Sequence, residues 1–147
     1  MNFIAKKLTV LVLVMIAFLS SCQKNDPVQN YTNYYAQDYT VKQGDWKKGS
    51  DDKSGMYYYC VFQESNLTQY IYNNGVMQAF LYTNNGNISP LPFNDYWIED
   101  TTGYMYTEQI TCEFVPGYIT FIVKASDHNE NFLPSYSEYD FTVRLMW

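Results

Sequence analysis

Two of the three cysteines lie in segments that alternate like β-strands, where their thiols could form a bond. Cys60 lies in the aromatic run 56–63, and Cys112 lies in the run 104–115. If the alternation holds, both thiols point into one core, where a disulfide is geometrically possible. Closing the loop of about 50 residues would contribute roughly 3–4.5 kcal/mol. The alternative is two buried thiols that pack as small hydrophobic groups.

One histidine is present, so the sequence offers few routes to nucleophilic or metal-assisted catalysis. His128 lies in the polar segment Asp127–Asn131, which is typical of a surface loop. A Ser–His or Cys–His pair would need this single base, and a zinc site would need several His or Cys ligands at fixed spacing. We therefore predict no catalytic residue, no metal and no cofactor.

Pairs of carboxylates are the remaining catalytic candidates, since two acids held roughly 5–10 Å apart can hydrolyse a glycosidic bond. Glu99 and Asp100 are adjacent, and Glu108 and Glu113 lie in one strand-like segment. Such acids are expected on any acidic protein, and neither pair has a separation that the sequence defines. A glycoside-active enzyme is therefore the third of three functional hypotheses.

Aromatic residues are abundant, with sixteen Tyr, nine Phe and three Trp among 147 residues. In the run 57–59 the middle tyrosine must face opposite to its neighbours, so at least one face carries Tyr outside the core. Tyr combines a rigid ring with a hydroxyl, which suits sugar stacking, protein interfaces and the solvated rim of a sandwich alike. The candidate aromatic surface consists of Tyr57, Tyr58, Tyr59, Tyr96, Trp97, Tyr104 and Tyr106.

The N-terminus has the pattern of a secretory signal peptide. Lys6 and Lys7 precede an apolar run from Leu8 to Leu19, which lacks the polar face of an amphipathic helix. As a helix this run would reach about 18 Å, too short for a hydrocarbon core about 30 Å thick. A basic start, a short apolar segment and small residues after it favour a cleaved export signal.

The end of this segment, Leu19-Ser20-Ser21-Cys22, resembles the lipobox of bacterial lipoproteins, whose type II signal peptide ends before a lipidated Cys. The resemblance implies cleavage between Ser21 and Cys22. It also implies diacylglycerylation of the Cys22 thiol and acylation of the new amino group. Each buried CH₂ contributes about 0.8 kcal/mol, so several acyl chains anchor a protein that one chain would not. The implied partner is the membrane.

The residues after Cys22 resemble the export signal of small Bacteroidetes surface lipoproteins, in which a Lys shortly after the Cys precedes two acidic residues. Lys24 and Asp26 match this pattern, whereas Asn25 occupies one of the acidic positions. The resemblance covers residues 1–26. It implies a lipid anchor in the outer membrane, with the domain at the cell surface or facing the periplasm.

The acidic charge balance argues against a nucleic-acid partner. The formal net charge is −6 and the isoelectric point is near 4.5, whereas phosphate binding needs a basic patch. Removing residues 1–21 takes away Lys6 and Lys7 but no carboxylate, so the net charge falls from −6 to −8.

Most of the remaining chain alternates like β-strands. Strand-like runs cover residues 39–43, 56–63, 75–83, 104–115, 118–124 and 139–147. In the last run, one face carries Tyr139, Phe141, Val143, Leu145 and Trp147. Pro90 and Pro92 place the segment 88–99 at a sheet edge or in a loop. We predict an all-β fold, an antiparallel β-sandwich of about 6–8 strands of the immunoglobulin-like or jelly-roll type.

One segment has helical spacing. Leu67, Tyr70 and Ile71 recur at i, i+3 and i+4. Ser65 can cap the start of a helix here, and Gly75 can end it. We therefore predict one short helix near residues 65–73.

These elements divide the chain into three regions. They are a lipoprotein signal peptide over residues 1–21, a lipidated N-terminus and tether over 22–37, and a β-sandwich domain over 38–147. The expected function is that of a lipid-anchored exported lipoprotein with a non-enzymatic binding or structural accessory role, which a protein partner would suit. The alternative is a glycan-binding module that uses the exposed Tyr and Trp.

Overall fold

A computed structural model describes residues 33–51, 55–83, 85–98, 102–126 and 134–147. The signal peptide, the cleavage site at Ser21 and the lipid anchor at Cys22 lie outside the described residues. The same is true of His128 and of the pair Glu99 and Asp100. Within the described ranges, no helix is long and apolar enough to cross a membrane.

Nine strands and one short helix make up the described part of the chain. The strands are β1 (Tyr34–Lys42), β2 (Lys47–Asp51), β3 (Gly55–Gln63), β4 (Val76–Tyr82), β5 (Ile88–Pro90), β6 (Phe93–Ile98), β7 (Met105–Val115), β8 (Tyr118–Ala125) and β9 (Glu138–Met146). A 3₁₀ turn at Gln43–Asp45 links β1 to β2, and the helix α1 (Gln69–Asn74) links β3 to β4.

The strands form two antiparallel sheets, which confirms the predicted sandwich. The four-stranded sheet has the order β1-β9-β4-β5, and the five-stranded sheet has the order β2-β3-β8-β7-β6. The described strands number nine rather than about 6–8. One reason is that the segment 88–99 contributes an edge strand to each sheet, with Leu91 and Pro92 between them. Both prolines therefore lie where a missing N–H costs little.

Alternation along each strand places one set of side chains between the sheets. On β9, the predicted inner face is confirmed: Tyr139, Phe141, Val143 and Leu145 are each at most 1% exposed. Phe141 stacks on Phe121 of β8, with 3.9 Å between the ring centroids, so the two sheets meet through these rings. Burial of such apolar surface is the main favourable contribution to folding.

The helix begins later than its sequence pattern predicts. Thr68, rather than Ser65, is the N-cap, and its side-chain oxygen accepts a hydrogen bond from the Ile71 N–H at 3.3 Å. Ser65 lies in the turn that follows β3, so α1 covers only Gln69–Asn74. Gly75 ends the helix as predicted, where its N–H donates to the Ile71 carbonyl at 2.7 Å.

The strand β1 begins inside the segment that the sequence predicts as a tether. Its pairing with β9 runs from Tyr34 opposite Met146 to Lys42 opposite Glu138. Residues 34–37 therefore belong to the sandwich, and the predicted boundary at residue 38 was four residues late. The first residues of β1 were not predicted because β1 is an edge strand whose residues are mostly exposed, so its composition is polar.

The possible disulfide between Cys60 and Cys112 does not form, and the alternative of two buried thiols holds, although both residues share the inner face of one sheet. Each lies opposite Phe121 of β8, Cys60 from β3 and Cys112 from β7. Two inter-strand spacings separate their Cα atoms by about 9.5 Å, beyond the limit of about 7 Å for a disulfide. Both are free thiols that pack against the core, and burial raises the pKa of each.

Candidate functional site

The three tyrosines of β3 divide between the two faces of the five-stranded sheet, as their alternation predicts. Tyr57 and Tyr59 lie on the outer face, which points away from the four-stranded sheet, and their ring centroids are 6.0 Å apart. Tyr58 faces the core and is only 8% exposed. Its assignment to the aromatic surface was therefore wrong, because the middle position of the run points inward.

Trp97 and Tyr106 were also wrongly assigned to the surface. They are cross-strand partners on the inner face of β6 and β7. The Trp97 ring packs edge-on against Tyr136 with 5.2 Å between the ring centroids. Tyr106 packs against the core, and its hydroxyl lies 3.1 Å from the Ser135 hydroxyl.

Tyr96 and Tyr104 are exposed but lie apart from the tyrosines of β3. Tyr96 is 75% exposed on β6, which is three strands away from β3 in the sheet. Tyr104 is 55% exposed and precedes β7. Of the seven predicted surface aromatics, Tyr57 and Tyr59 are therefore the two that the fold brings together on one face.

A cleft of about 420 Å³ lies on this outer face, and we call it the tyrosine cleft. The strands β2, β3, β8 and β7 contribute its lining, which consists of Gly49, Ser50, Tyr57, Tyr59, Val61, Glu113, Thr120, Ile122 and Lys124. Ile122 is 7% exposed although it belongs to an outer face, so its neighbours cover it. The cleft therefore has an apolar base with polar side chains around it.

A glycine on β2 allows the Tyr57 ring to lie against the backbone. Gly49 and Tyr57 are cross-strand partners, and a Cβ atom at position 49 would lie 2.6 Å from Cε2 and Cζ of Tyr57. Lys124 of β8 places its Nζ atom 5.3 Å from the centroid of the same ring, a cation–π contact. These two contacts fix the orientation of the ring in the absence of a ligand.

The tyrosine cleft combines hydrogen-bonding groups of opposite character. Lys124 supplies a donor-only ammonium group, and Glu113 supplies a carboxylate, which only accepts when ionised. Ser50 and Thr120 add hydroxyl groups that can do both. Within the described part of the chain, the lining holds one cationic and one anionic side chain, whose formal charges sum to zero.

A second cavity of about 480 Å³ adjoins the tyrosine cleft, because Glu113, Ile122 and Lys124 line both. It extends past β7, whose pairing with β6 stops at Phe93 opposite Ile110. Its other lining residues are Met77, Gln78, Ala79, Leu91, Pro92, Gln109, Thr111, Cys112 and Phe114. We call the two adjoining cavities the cross-strand groove, since together they cross the strands rather than follow them.

Glu64, just after β3, is a buried carboxylate with a full set of hydrogen-bond donors. Its Oε2 atom accepts from the Tyr39 hydroxyl at 2.5 Å and the Tyr35 hydroxyl at 3.1 Å. Its Oε1 atom accepts from the backbone N–H and the side-chain amide of Asn66 at 2.8 and 2.9 Å. Burial alone would raise the pKa of Glu64, but these hydrogen bonds outweigh it and hold the pKa below its ordinary value.

Glu108 on β7 is a second buried carboxylate, with fewer donors. It is 0% exposed, and its Oε1 atom accepts from the Tyr139 hydroxyl at 2.9 Å and the Ser135 N–H at 3.0 Å. Its Oε2 atom is buried without a hydrogen-bond partner. Burial therefore raises the pKa of Glu108 above its ordinary value, with a smaller contribution from the charge of Asp95.

The candidate catalytic pair of Glu108 and Glu113 does not form. An odd spacing of five positions puts the two side chains on opposite faces of β7, Glu108 inward and Glu113 outward. The cross-strand partner of Glu108 is Asp95 instead, but Glu108 has no exposed surface. Across the described ranges, no three His, Cys, Asp or Glu side chains cluster as a metal site.

Sequence reasoning missed Gly49, Lys124 and Glu113 as neighbours of the tyrosines. Their proximity depends on the strand order, which places β8 between β3 and β7. Alternation within a strand carries no information about which distant strand lies beside it. The one available signal was Gly49 itself, because a glycine inside a strand often marks the close approach of another group.

The chain matches no family model, no curated protein and no solved structure. No relative therefore lends it a ligand or a set of site residues. Its function has to be inferred from the side chains that line the cross-strand groove and from the N-terminal sequence pattern.

Proposed function

We propose that this protein is a lipid-anchored exported lipoprotein that binds a ligand, without catalysis, through the tyrosine cleft. In this proposal Cys22 carries the lipid after removal of residues 1–21, and the domain sits on the outer membrane at the cell surface or facing the periplasm. The binding role depends on one observation: two tyrosine rings lie side by side in a cleft on an outer sheet face.

The placement of these rings supports binding rather than packing alone. Tyr57 and Tyr59 are half-buried on the face that points away from the other sheet, so they do not fill the main core. A ring that Gly49 and Lys124 already hold in one orientation loses little conformational freedom when a ligand arrives. Rigid aromatic side chains of this kind contribute most of the binding energy at many interfaces.

A saccharide is the ligand class that fits the tyrosine cleft best. The C–H face of a sugar ring packs on an aromatic ring, and its hydroxyls both donate and accept hydrogen bonds. Lys124, Glu113 and Thr120 offer the matching donors and acceptors around the rings.

Binding without cleavage is supported by the acids near the cross-strand groove. Glycoside hydrolysis needs two carboxylates that flank the bond to be broken. Among the described residues that line the groove, Glu113 is the single carboxylate. We therefore propose a binding role and not a glycosidase.

The lipid anchor is tested with the full-length chain and its Cys22→Ala variant, expressed in a Gram-negative host with lipoprotein export. The wild type should remain with the outer membrane after a carbonate wash, and metabolic labelling with a fatty acid should mark it. Cys22→Ala should lose the label and leave the membrane fraction. Retention of the unlabelled variant in the washed membrane would contradict the anchor.

The binding face is tested on a printed glycan array with the purified full-length chain. We expect saturable binding to at least one glycan, and we expect Tyr59→Ala to abolish it. Tyr70→Ala is the matched control, because Tyr70 is 64% exposed on α1 and does not line the groove. Absence of binding to every glycan, or equal loss in both variants, would contradict the proposed ligand class.

A further inference from the structure

The cross-strand groove is longer than one sugar unit requires. It begins at Gly49 and Ser50 on β2, crosses β3 and β8, and reaches β7. Three inter-strand spacings separate β2 from β7, which makes this part about 14 Å long. The second cavity continues past β7 to Leu91 and Pro92. Both cavities are partly open to solvent, and the second also reaches between the sheets, where Cys112 and Phe114 of β7 and Met77 of β4 line it.

The chemistry of the groove changes along its length. Tyr59 supplies a stacking surface near the β2 end, beside Tyr57, whose ring lies against Gly49 and Lys124. Gln109 and Thr111 supply an amide and a hydroxyl near the other end, where Pro92 adds an apolar surface. A ligand that contacts both ends must therefore be extended, and a chain with repeated hydroxyl groups suits the amide and hydroxyl groups along the groove.

Charge limits the ligand further. Of the groove-lining residues that the structure describes, the two with charged side chains are Lys124 and Glu113, and their formal charges cancel. The chain after residue 21 is acidic overall, so a polyanion would be repelled by the rest of the protein. An uncharged ligand needs no net charge in the groove and is not repelled by the acidic protein.

We propose that the cross-strand groove binds an uncharged, extended oligosaccharide chain that lies across the strands, rather than a single terminal sugar. This inference rests on the proposed binding role of the tyrosine cleft and names the kind of ligand that the cleft accepts. Tyr59 stacks against one part of the chain, next to the Tyr57 ring that Gly49 and Lys124 hold, and Gln109 and Thr111 hydrogen-bond to sugar units farther along.

The test is a calorimetric titration of the full-length chain with oligosaccharides of increasing length. The probes are linear gluco-, xylo-, manno- and galacto-oligosaccharides from one to six units, with oligogalacturonate as the anionic counterpart. In at least one uncharged series we expect affinity to rise by about tenfold or more from the shortest to the longest member. Binding of the longest member should change little between about 0.01 M and 1 M salt, since no net charge is neutralised.

Two variants test separately what each end of the groove contributes to binding. Tyr59→Ala should abolish detectable binding of every member of the series, which requires a loss of affinity of at least about tenfold. Gln109→Ala combined with Thr111→Ala should weaken binding of the long members and leave the shortest member that binds unchanged. Gln109 is exposed and Thr111 is half-buried on the outer face, so the double variant is expected to fold.

The outcomes distinguish this inference from the proposed function. Equal affinity for one unit and six units, or a preference for oligogalacturonate, would overturn the inference of an extended, uncharged ligand. If Tyr59→Ala still abolishes binding in that case, the proposed binding role of the tyrosine cleft is retained. If no series binds although the array shows a Tyr59-dependent ligand, the inference again fails by itself. If neither array nor titration detects a saccharide, the inference and the proposed ligand class fail together.

Discussion

The tyrosines inside the sandwich and those on the outer face of the five-stranded sheet differ in what their surroundings require of them. Inside, Tyr139 and Tyr39 donate hydroxyl hydrogen bonds to the buried carboxylates Glu108 and Glu64. Outside, Tyr57 and Tyr59 present their rings to a solvent-open cleft. The comparison indicates that the inner hydroxyls serve stability and the outer rings serve binding, so substitutions in the two groups should affect different properties.

The largest difference in stability between the inner and outer tyrosines is expected when one hydroxyl is removed from each group. Tyr139→Phe deprives Glu108 of a donor and the Tyr136 N–H of its acceptor, in a position that is 1% exposed. We expect the free energy of unfolding to fall by about 1.5–3 kcal/mol, the range for a hydrogen bond to a charged group. Chemical denaturation followed by tryptophan fluorescence measures this change.

Tyr59→Phe is the matched control for that experiment, because it removes the same hydroxyl from a half-buried outer position. Its free energy of unfolding should stay within about 0.5 kcal/mol of the wild type. If Tyr139→Phe and Tyr59→Phe destabilise the protein equally, the distinction between the inner and outer tyrosines is wrong.

The contributions of the two buried carboxylates, Glu64 and Glu108, to the free energy of unfolding should depend on pH in opposite directions. The pKa of Glu64 is lowered in the folded protein, so its stabilising contribution is present above the ordinary value of 4.5 and is lost as the pH falls below it. The pKa of Glu108 is raised, so its contribution is present below 4.5 and is lost as the pH rises through the folded-state pKa.

Glu64→Gln and Glu108→Gln separate these contributions in denaturation curves from about pH 3 to about pH 8. The wild type should be more stable than Glu64→Gln at neutral pH, and the gap should narrow below pH 4.5. Relative to Glu108→Gln, the wild type should instead gain stability as the pH falls from neutral towards 4.5. Parallel curves for the two variants would contradict the assigned directions of both pKa shifts.

A smaller effect on stability than that of Tyr139→Phe, but a clear effect on binding, is expected from Gly49→Ala. In Gly49→Ala the new Cβ atom would lie 2.6 Å from the Tyr57 ring, so the ring has to shift although no functional group is removed. We expect less than about 1 kcal/mol of destabilisation and a clear loss of saccharide affinity, measured by the calorimetric titration. Gly44→Ala is the control, since a Cβ at Gly44 would meet nothing within 4 Å.

The structural features that could be predicted from the sequence are those that depend only on residues close together in the chain. Alternation correctly placed Tyr58 opposite to Tyr57 and Tyr59, and it correctly gave the inner face of β9. Turn and proline signals correctly placed the segment 88–99 at sheet edges. These inferences succeed because side-chain direction in a strand follows from backbone geometry alone.

Features that depend on which strands are neighbours could not be obtained in this way. Alternation correctly placed Cys60 and Cys112 on the inner face. It could not show that β8 lies between their strands, which keeps the thiols too far apart for the possible disulfide. The contact of Lys124 with Tyr57 depends on the same strand order. Glu64 and Glu108 resemble surface acids in sequence, since the tyrosine hydroxyls that satisfy them come from distant strands.

The most direct test of the binding face is a two-dimensional ¹H–¹⁵N NMR titration of the full-length Cys22→Ala chain with the tightest-binding saccharide from the array. The amide signals of Gly49, Ser50, Thr120 and Lys124 should shift in proportion to occupancy, because these residues line the tyrosine cleft. Signals from β1, β5 and α1, which do not line the cleft, should stay unchanged. Shifts confined to those elements, with none in the cleft, would contradict the assignment of the outer face of the five-stranded sheet as the binding surface.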